Sequence, residues 1–473
     1  MHRSLSQWLL VGTLAAPLEQ QVTIVILPDE ALLEVFEFYL VGCYREEWFT
    51  LAHVCQRWRC LVSASPCRLN LRLVCTGYTP PGEMLGRWPT LPIVIHYTDK
   101  SAGSRANNIV AALKHKNRVS KIKLCNVTNW QFEVFVTEMQ EPFPKLEYLE
   151  IEANRCRSLL PVLPDSFLGG SAPLLADVHF EGILFLDFPK VFLSANNLCG
   201  IFLLGIPQFF SLEKMAAALS ATNNLQLLEI QAKSWHPLQE SQRSHPITRI
   251  VLPALFWLRL ECTGDYLQNF MARMDALPAL QWMVISLRHS LVFDIPELPQ
   301  FISRINAFKI SDQASICTYP DEVRFTFSQK IRTGAELTII FTAASGTISS
   351  LLPVCCSSLP PHPFERLEIR QYQRIQPVWE VENELPGGSP RFGAVKNLFL
   401  NKSAAENVGY ALKACPEERV TQMFPALQNI FLEELHFGTD NQKAIRRFAS
   451  ARRLAGLPVT LHNWEMGKEV GGQ

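Results

Sequence analysis

The residues of this 473-residue chain that could do chemistry are arranged for binding and not for catalysis. The nearest approach to a glycine-flanked nucleophile is Gly169-Gly170-Ser171, which lacks the spacing of a nucleophile elbow and lies in a proline-bounded segment typical of a loop. The sequence contains no P-loop, no dinucleotide-binding glycine motif and no H-E-x-x-H, and its 11 histidines form no cluster. We therefore predict a protein that is not an enzyme and has no cofactor or metal site.

The cysteine content and the net charge limit the cellular compartments and the classes of partner that we expect. The 13 cysteines are odd in number and form no C-x-x-C pair, which favours reduced thiols in the cytoplasm or nucleus over a disulfide framework. The 44 basic and 44 acidic residues cancel, so no net charge attracts nucleic acid or an anionic membrane. We expect no transmembrane helix, because no run of eighteen apolar residues is present.

The most informative segment spans residues 27–62. Leu27-Pro28 begins a helix, and Asp29 and Glu30 follow in its first turn, where negative charge suits the helix dipole. A second helix is expected to carry one continuous apolar stripe from Trp48 to Val62. A segment of about forty residues cannot cover that much apolar surface by itself, so it needs a partner.

This segment resembles an F-box, a family that opens with Leu-Pro and ends on a Val-Cys-x-Arg-Trp signature, here residues 54–58. The resemblance implies docking onto the Skp-type adaptor of a cullin–RING ubiquitin ligase. The alternative is an ordinary buried helix pair at the head of a larger domain. The residues expected to bind the adaptor are Leu27, Pro28, Leu33, Phe36, Leu51, Val54, Cys55, Trp58 and Leu61.

Beyond Pro66 a motif recurs in which one apolar residue is followed by others three and five positions later. Its copies begin at Val119, Leu146, Leu175, Leu198, Leu225, Leu255, Leu280, Ile305, Phe364, Val395 and Leu427. Copies from Val119 to Ile305 are 23 to 30 residues apart, close to the length of a leucine-rich repeat. Because one repeat cannot bury its own apolar side, the pattern predicts stacked repeats with a parallel sheet.

Residues between these motifs predict the connections. Prolines two residues before a motif are expected to keep the entering backbone extended, and these are Pro144, Pro173, Pro253, Pro278 and Pro425. Helices are expected over residues 107–115, 211–220 and 404–413. A capping helix is expected over residues 443–455, with its four arginines facing outward. Between Ile310 and Phe364 the segments VRFTF and AELTIIF suggest strands that do not fit the phase of the motif. A looped-out insertion and degenerate repeats both stay open for this stretch.

Several long segments resemble one family of F-box proteins with degenerate leucine-rich repeats, typical of mushroom-forming fungi. They include HVCQRWRCLVSASPCRLNLRLVCT, NNIVAALKHKNRV and FPALQNIFLEEL. The expected fold is therefore α/β, with an N-terminal helical F-box followed by a leucine-rich-repeat-like solenoid. We predict a disordered leader (1–21), an F-box domain (22–75), the solenoid (76–464) and a disordered tail (465–473).

The resemblance implies the substrate-recognition subunit of a Skp–cullin–F-box ligase, which also needs an unknown protein substrate. In each repeat, residues between the inward apolar positions point to the opposite side of the sheet and line up across strands. The candidate substrate-binding residues on that side are Tyr148, His179, Trp257, Arg259, Trp282, Lys309 and Arg366. For Trp257 and Trp282 an ordinary core role stays open, and for Phe202, Phe399 and Phe431 it is favoured.

Two other functions stay open at this point. In the first, the protein is a repeat scaffold whose F-box serves assembly without ubiquitylation. In the second, it is a secreted repeat protein, which the apolar run from Trp8 to Ala16 and the glycosylation triplets at Asn126 and Asn401 would suit.

Overall fold

The computed structural model describes the chain from residue 24 to residue 465 with gaps. The described residues are 24–42, 48–78, 81–88, 90–98, 106–154, 160–185, 189–206, 212–232, 250–275, 277–288, 295, 297–329, 334–342, 363–372, 392–414, 422–433 and 440–465. The predicted leader and all but residue 465 of the predicted tail lie outside these ranges. Two compact units are present, one of residues 1–74 and 82–94 and the other of residues 75–81 and 95–473.

The first unit contains four described helices. They are α1 (Asp29–Gly42), α2 (Trp48–Val54), α3 (Gln56–Ala64) and α4 (Pro81–Arg87). The prediction of a single second helix is wrong, because Cys55 adopts an extended conformation (φ −157°, ψ 171°) and its Sγ accepts a hydrogen bond from Trp58 N, which caps α3. The predicted continuous stripe is therefore broken, with Leu51 and Val62 buried and Val54 59% exposed.

Arg57 ties the third helix to the start of the first. Its Nε donates to Asp29 Oδ1 at 3.0 Å, and its Nη2 donates to the Leu27 carbonyl at 2.6 Å and to Asp29 Oδ1 at 2.5 Å. One position on, the Trp58 ring lies 4.6 Å from the Phe36 ring, centroid to centroid. The residues that open the segment and those that end it are therefore joined in space.

A large, open and mostly parallel sheet makes the fold mixed α/β. Its sixteen described strands are ordered β1-β2-β3-β4-β6-β8-β9-β10-β11-β14-β13-β12-β15-β16-β17-β18, and β5 pairs with β7 separately. Strands β1 and β2 contribute residues to both compact units. The strands are β1 (Leu73–Thr76), β2 (Ile93–Thr98), β3 (Val119–Val127), β4 (Tyr148–Ala153), β5 (Val162–Leu163), β6 (Asp177–Glu181), β7 (Leu184–Phe185), β8 (Gly200–Ile206), β9 (Leu227–Ala232), β10 (Trp257–Cys262), β11 (Trp282–Arg288), β12 (Gln313–Thr318), β13 (Glu322–Ser328), β14 (Glu336–Thr342), β15 (Arg366–Gln371), β16 (Asn397–Leu400), β17 (Asn429–Glu433) and β18 (Thr460–Trp464).

Helices alternate with these strands in the second unit. The described ones are α5 (Ala106–Leu113), α6 (Asn129–Glu138), α7 (Val191–Ser194), α8 (Leu212–Ser220), α9 (Gly264–Arg273), α10 (Glu297–Arg304), α11 (Lys402–Ala414) and α12 (Asp440–Leu454), with short 3₁₀ turns at Phe167–Gly170 and Asn306–Ile310. The helices predicted over residues 107–115, 211–220, 404–413 and 443–455 correspond to α5, α8, α11 and α12.

A β-turn precedes each proline-led strand. The five prolines do not hold extended backbone as predicted; each is the second residue of a turn. The turn closes when the N–H of the first motif residue donates to the carbonyl three residues earlier, at 2.9 to 3.3 Å, as Leu146 N does to Phe143 O. Proline suits that position because its fixed φ matches the turn. The turn therefore places the first apolar residue of the motif, which is buried, just before each strand.

The copy of the motif predicted at Ile305 is wrong. Residues Asn306–Ile310 form a 3₁₀ turn, since apolar residues three apart also suit that helix. The next three strands form an insertion, in which β13 pairs antiparallel with both β12 and β14. Strand β14 pairs parallel with β11, and β12 pairs parallel with β15, so the two regular parts of the sheet stay joined. The segments VRFTF and AELTIIF are strands, as predicted, and the reversal explains their phase.

In the capping helix α12, the prediction that all four arginines face outward is wrong. Arg446, Arg447 and Arg453 are exposed, but Arg452 is fully buried. Its Nη1 donates to the Met423 carbonyl at 2.9 Å and its Nη2 to the Pro425 carbonyl at 3.2 Å. Burial lowers the pKa of this guanidinium. The periodicity of the helix did not reveal that a loop carbonyl pair would take one arginine inward.

We expect Arg452→Ala to lower the free energy of unfolding by about 3 kcal/mol, because the buried Met423 carbonyl and the partly buried Pro425 carbonyl lose the hydrogen bonds of Arg452. The neighbouring Arg453→Ala, on the exposed side, should change stability by less than about 0.5 kcal/mol. Urea titration followed by hydrogen exchange at residues 422–433 measures both. Equal stability of the two variants would show that Arg452 does not hold the loop.

Candidate functional site

The N-terminal helices bury much of the surface expected to bind an adaptor. Leu33, Phe36 and Leu51 are buried, and the half-buried residues are Leu27, Trp58 and Leu61. Pro28, Val54 and Cys55 are exposed. The buried residues and Trp58 therefore hold the helices together, as Arg57 also does. Only the minority of predicted residues that is exposed offers apolar surface to another chain.

A second apolar face of α1 was missed by the sequence analysis. Val35, Phe38 and Tyr39 are 46%, 84% and 37% exposed, whereas Leu32 and Phe36 on the same helix are completely buried. Residues three and four apart lie on one side of a helix, so these three form one patch. The i, i+3, i+4 spacing of these residues is the signal that could have revealed it. We call Val35, Phe38 and Tyr39 the α1 patch.

In the second unit, the strand register aligns the predicted candidates across one face of the sheet, which we call the polar face. One row runs Lys123, Glu150, His179, Phe202, Glu229, Arg259 and Val284, and after the insertion continues as Glu368, Phe399 and Phe431. Lys309 does not belong to it, because it lies in the 3₁₀ turn before β12. Between Val284 and Glu368 the register positions of this row are instead occupied by Thr338, Thr326 and Ser315.

Five half-buried rings follow one another along the polar face, and we call them the aromatic row. They are Tyr148, His179, Phe202, Trp257 and Trp282. The His179 and Phe202 rings stack, with centroids 4.0 Å apart and planes 9° apart. Tyr148 lies 5.5 Å from His179, Trp257 lies 6.2 Å from Phe202, and Trp282 is the register partner of Trp257. The structure therefore brings together four of the seven predicted substrate-binding residues.

Asp177 and Gly200 complete this part of the face. Asp177 is the register partner of Tyr148 on one side and of Gly200 on the other. A Cβ atom at Gly200 would lie 2.5 Å from Asp177 Oδ1 and 3.0 Å from Phe202 Cε2. The absence of a side chain at Gly200 therefore lets the carboxylate and the phenylalanine ring approach over the same strand. Neither Asp177 nor Gly200 was among the predicted site residues.

Charged side chains beside the row are paired across strands. Glu150 accepts hydrogen bonds from the Tyr148 hydroxyl at 2.6 Å and forms an ion pair with Lys123 at 3.0 Å. Burial alone would raise the pKa of Glu150, but these two partners outweigh it and lower the pKa. Burial lowers the pKa of His179, so its ring is neutral at physiological pH.

Two carboxylates further along the face are more deeply buried. Arg288 Nε lies 2.8 Å from Glu261 Oε1, and Arg259 Nε lies 3.5 Å from Glu229 Oε1 without hydrogen-bond geometry. Burial raises the pKa of both glutamates and exceeds the opposing effect of the arginines. The predicted candidate Arg259 is thus occupied with a neighbouring strand.

At the far end of the sheet the face becomes core. Phe399, Phe431 and Trp464 form a buried cluster, which confirms the core role favoured for these two phenylalanines. Phe202, for which the same role was favoured, is instead half-buried. The predicted candidate Arg366 lies over the Phe399 ring, 4.0 Å from its centroid. Arg366 therefore covers this cluster and stands apart from the aromatic row.

The two glycosylation triplets differ in access. Asn126 is exposed, whereas Asn401 is buried. Asn401 accepts from Gln371 N and Ala404 N, and donates to Gln371 O at 2.9 Å. An amide that ties two strands together in this way cannot carry a glycan in the folded chain.

Comparison with known proteins gives no family. No protein-family model matches the chain, and no curated protein is significantly similar to it. Within the described ranges, no helix has the length and apolar character needed to cross a membrane. In the same part of the chain, no three histidine, cysteine, aspartate or glutamate side chains come together as metal ligands.

We expect Glu229 and Glu261 to make stability fall as the pH rises. Their pKa is raised above the ordinary value of 4.5, so the folded state binds protons more tightly than the unfolded state. Their contribution is fully present below 4.5 and is lost as the pH passes their raised pKa. Urea unfolding at pH 5 and pH 8 should show a smaller loss in E229Q/E261Q than in wild type. E365Q removes an exposed carboxylate and serves as the control; an unchanged pH difference in the double variant would contradict the assignment.

Proposed function

We propose that this protein is the substrate-recognition subunit of a Skp–cullin–F-box ubiquitin ligase. In this proposal the N-terminal helices are an F-box that binds the Skp-type adaptor, and through it a cullin. The sheet unit is a degenerate leucine-rich-repeat solenoid that binds a protein substrate. Such a subunit raises the effective concentration of its substrate near the conjugating enzyme and needs no catalytic residue of its own.

The observation that carries the proposal is the α1 patch. It lies in the segment whose opening and signature resemble an F-box, and Arg57 links the two ends of that resemblance through Asp29 and Leu27. A phenylalanine with 84% of its surface exposed, beside a valine and a tyrosine on the same helix face, is the composition expected of a protein-binding hot spot.

The repeated unit of the second part supports the solenoid. The same unit recurs along the chain: a β-turn, a buried apolar residue, a short parallel strand and a return segment. From β3 to β11 the strands of the large sheet follow one another in chain order, and only β5 and β7 lie outside it as a separate pair. This is the arrangement by which stacked repeats bury one continuous core. The polar face then supplies aligned side chains for a substrate.

We expect V35S/F38S to weaken binding to a purified Skp-type adaptor roughly hundredfold, because two exposed anchor residues are lost. Titration calorimetry with the full chain measures the affinity, and circular dichroism checks the fold. L454S, which removes a 91% exposed leucine elsewhere, is the matched control and should bind normally. Full adaptor binding by folded V35S/F38S would refute the F-box assignment.

Variants of Leu51 or Trp58 are less informative. Leu51 is buried and the Trp58 ring packs on Phe36, so their loss would remove binding by disrupting the helices. If the adaptor binds, a reconstituted reaction with cullin, RING protein and conjugating enzyme distinguishes the ligase subunit from a scaffold: the ligase subunit promotes cullin-dependent ubiquitylation, and the scaffold does not.

A further inference from the structure

We propose that the polar face binds a basic, extended segment of the partner protein, with one lysine or arginine side chain held between the Asp177 carboxylate and the rings of His179 and Phe202. This inference rests on the proposed function in taking the partner to be the substrate. It adds the chemical class of that substrate and the residues that select it.

The geometry around Gly200 provides the binding position. The Asp177 carboxylate and the edge of Phe202 both lie over this glycine, and His179 stacks flat on Phe202 at 4.0 Å. A carboxylate beside aromatic side chains can hold the charged end of a lysine or arginine while the rings pack against its apolar stem. Elsewhere on the face the chain's own cations lie over rings, Lys121 over Tyr148 and Arg366 over Phe399.

The charge of the face favours a cation there. On β4, β6, β8 and β9 the polar face carries five carboxylates, Glu150, Glu152, Asp177, Glu181 and Glu229, and no lysine or arginine. Lys123 and Arg259, on the strands to either side, lie 3.0 Å from Glu150 and 3.5 Å from Glu229. Asp177 has no ion pair or side-chain hydrogen bond among the described residues. His179 adds no repulsion, because burial lowers its pKa.

The length of the row suits an extended chain. From Tyr148 to Trp282 the row crosses six neighbouring strands, β4, β6, β8, β9, β10 and β11. At about 4.8 Å between strands this is about 24 Å, or about seven residues of extended peptide. Apolar side chains of that peptide would lie on Phe202, Trp257 and Trp282, next to the bound cation.

The test is selection of random dodecapeptides, displayed on phage, against the immobilised full chain. We expect enrichment of sequences in which lysine or arginine lies next to an apolar residue. A synthetic peptide of the enriched sequence should quench tryptophan fluorescence on binding. D177N should weaken its binding roughly tenfold, and F202L should weaken it also, because the smaller side chain packs less of the lysine or arginine stem. E365Q removes an equal charge from an exposed site and should bind as wild type.

Three outcomes would overturn the inference: no enriched sequence, enrichment of acidic or uncharged sequences, or equal affinity of D177N and wild type for the enriched peptide. Adaptor binding is measured on the same D177N protein and should be unchanged. Loss of basic-peptide selection with adaptor binding intact would refute only this inference. Failure of adaptor binding with basic-peptide selection intact would refute only the F-box assignment.

Discussion

The hydrogen bond that the entry to each strand donates to the preceding repeat fixes the register of the sheet. Ala176 N donates to Glu147 O at 2.8 Å, Cys199 N to Ala176 O at 2.7 Å, and Gln226 N to Cys199 O at 2.8 Å. Each repeat therefore begins at the same level as its neighbour. Since side chains alternate between faces, a slip of one residue would exchange the apolar core for the polar face. Both the core and the aromatic row depend on this one constraint.

The sequence was sufficient to predict the parallel sheet because burial imposes a strict pattern on each repeat. Leucines such as Leu149 and Leu228 recur where the strand must face the core, and all but one of the motif copies mark a strand. The exception at Ile305 shows the limit of the pattern, since a spacing of three satisfies a 3₁₀ turn equally well. The antiparallel insertion that follows could not be predicted, because strand direction depends on long-range pairing and not on local spacing.

The other differences between prediction and structure come from two residues, each of which could take either of two structural roles. Cys55 occurs within helical periodicity, yet its thiol caps the next helix and ends the stripe. Arg452 occurs among exposed arginines, yet it turns inward and donates hydrogen bonds to the carbonyls of Met423 and Pro425. In each case a specific hydrogen bond outweighs the average preference of the residue, and only the three-dimensional partner reveals it.

The candidate site was predictable as a set of rows and not as a set of contacts. Alternation along each strand placed Tyr148, His179 and Trp257 on one face before any distance was known. It also places Asp177 on that face but could not single it out, because the importance of Asp177 comes from the space left by Gly200 on the next strand. Nor could it separate Arg259, which faces a carboxylate of its own chain, from residues available to a partner.

Ion pairing within the protein separates side chains that are already occupied from those that are available to a partner. Glu150 and Glu368 each have a cation within 3.0 Å, so their burial is compensated inside the protein. A half-buried carboxylate without such a partner, set against stacked rings, loses hydration without gaining an internal counter-charge. A cation from another molecule would recover that loss, and the rings would pack against its apolar stem. The α1 patch, in contrast, gains by removing apolar surface from water, which depends little on salt. In the proposed complexes the two surfaces should therefore respond differently to ionic strength: binding at the aromatic row weakens as salt rises, and binding at the α1 patch changes little.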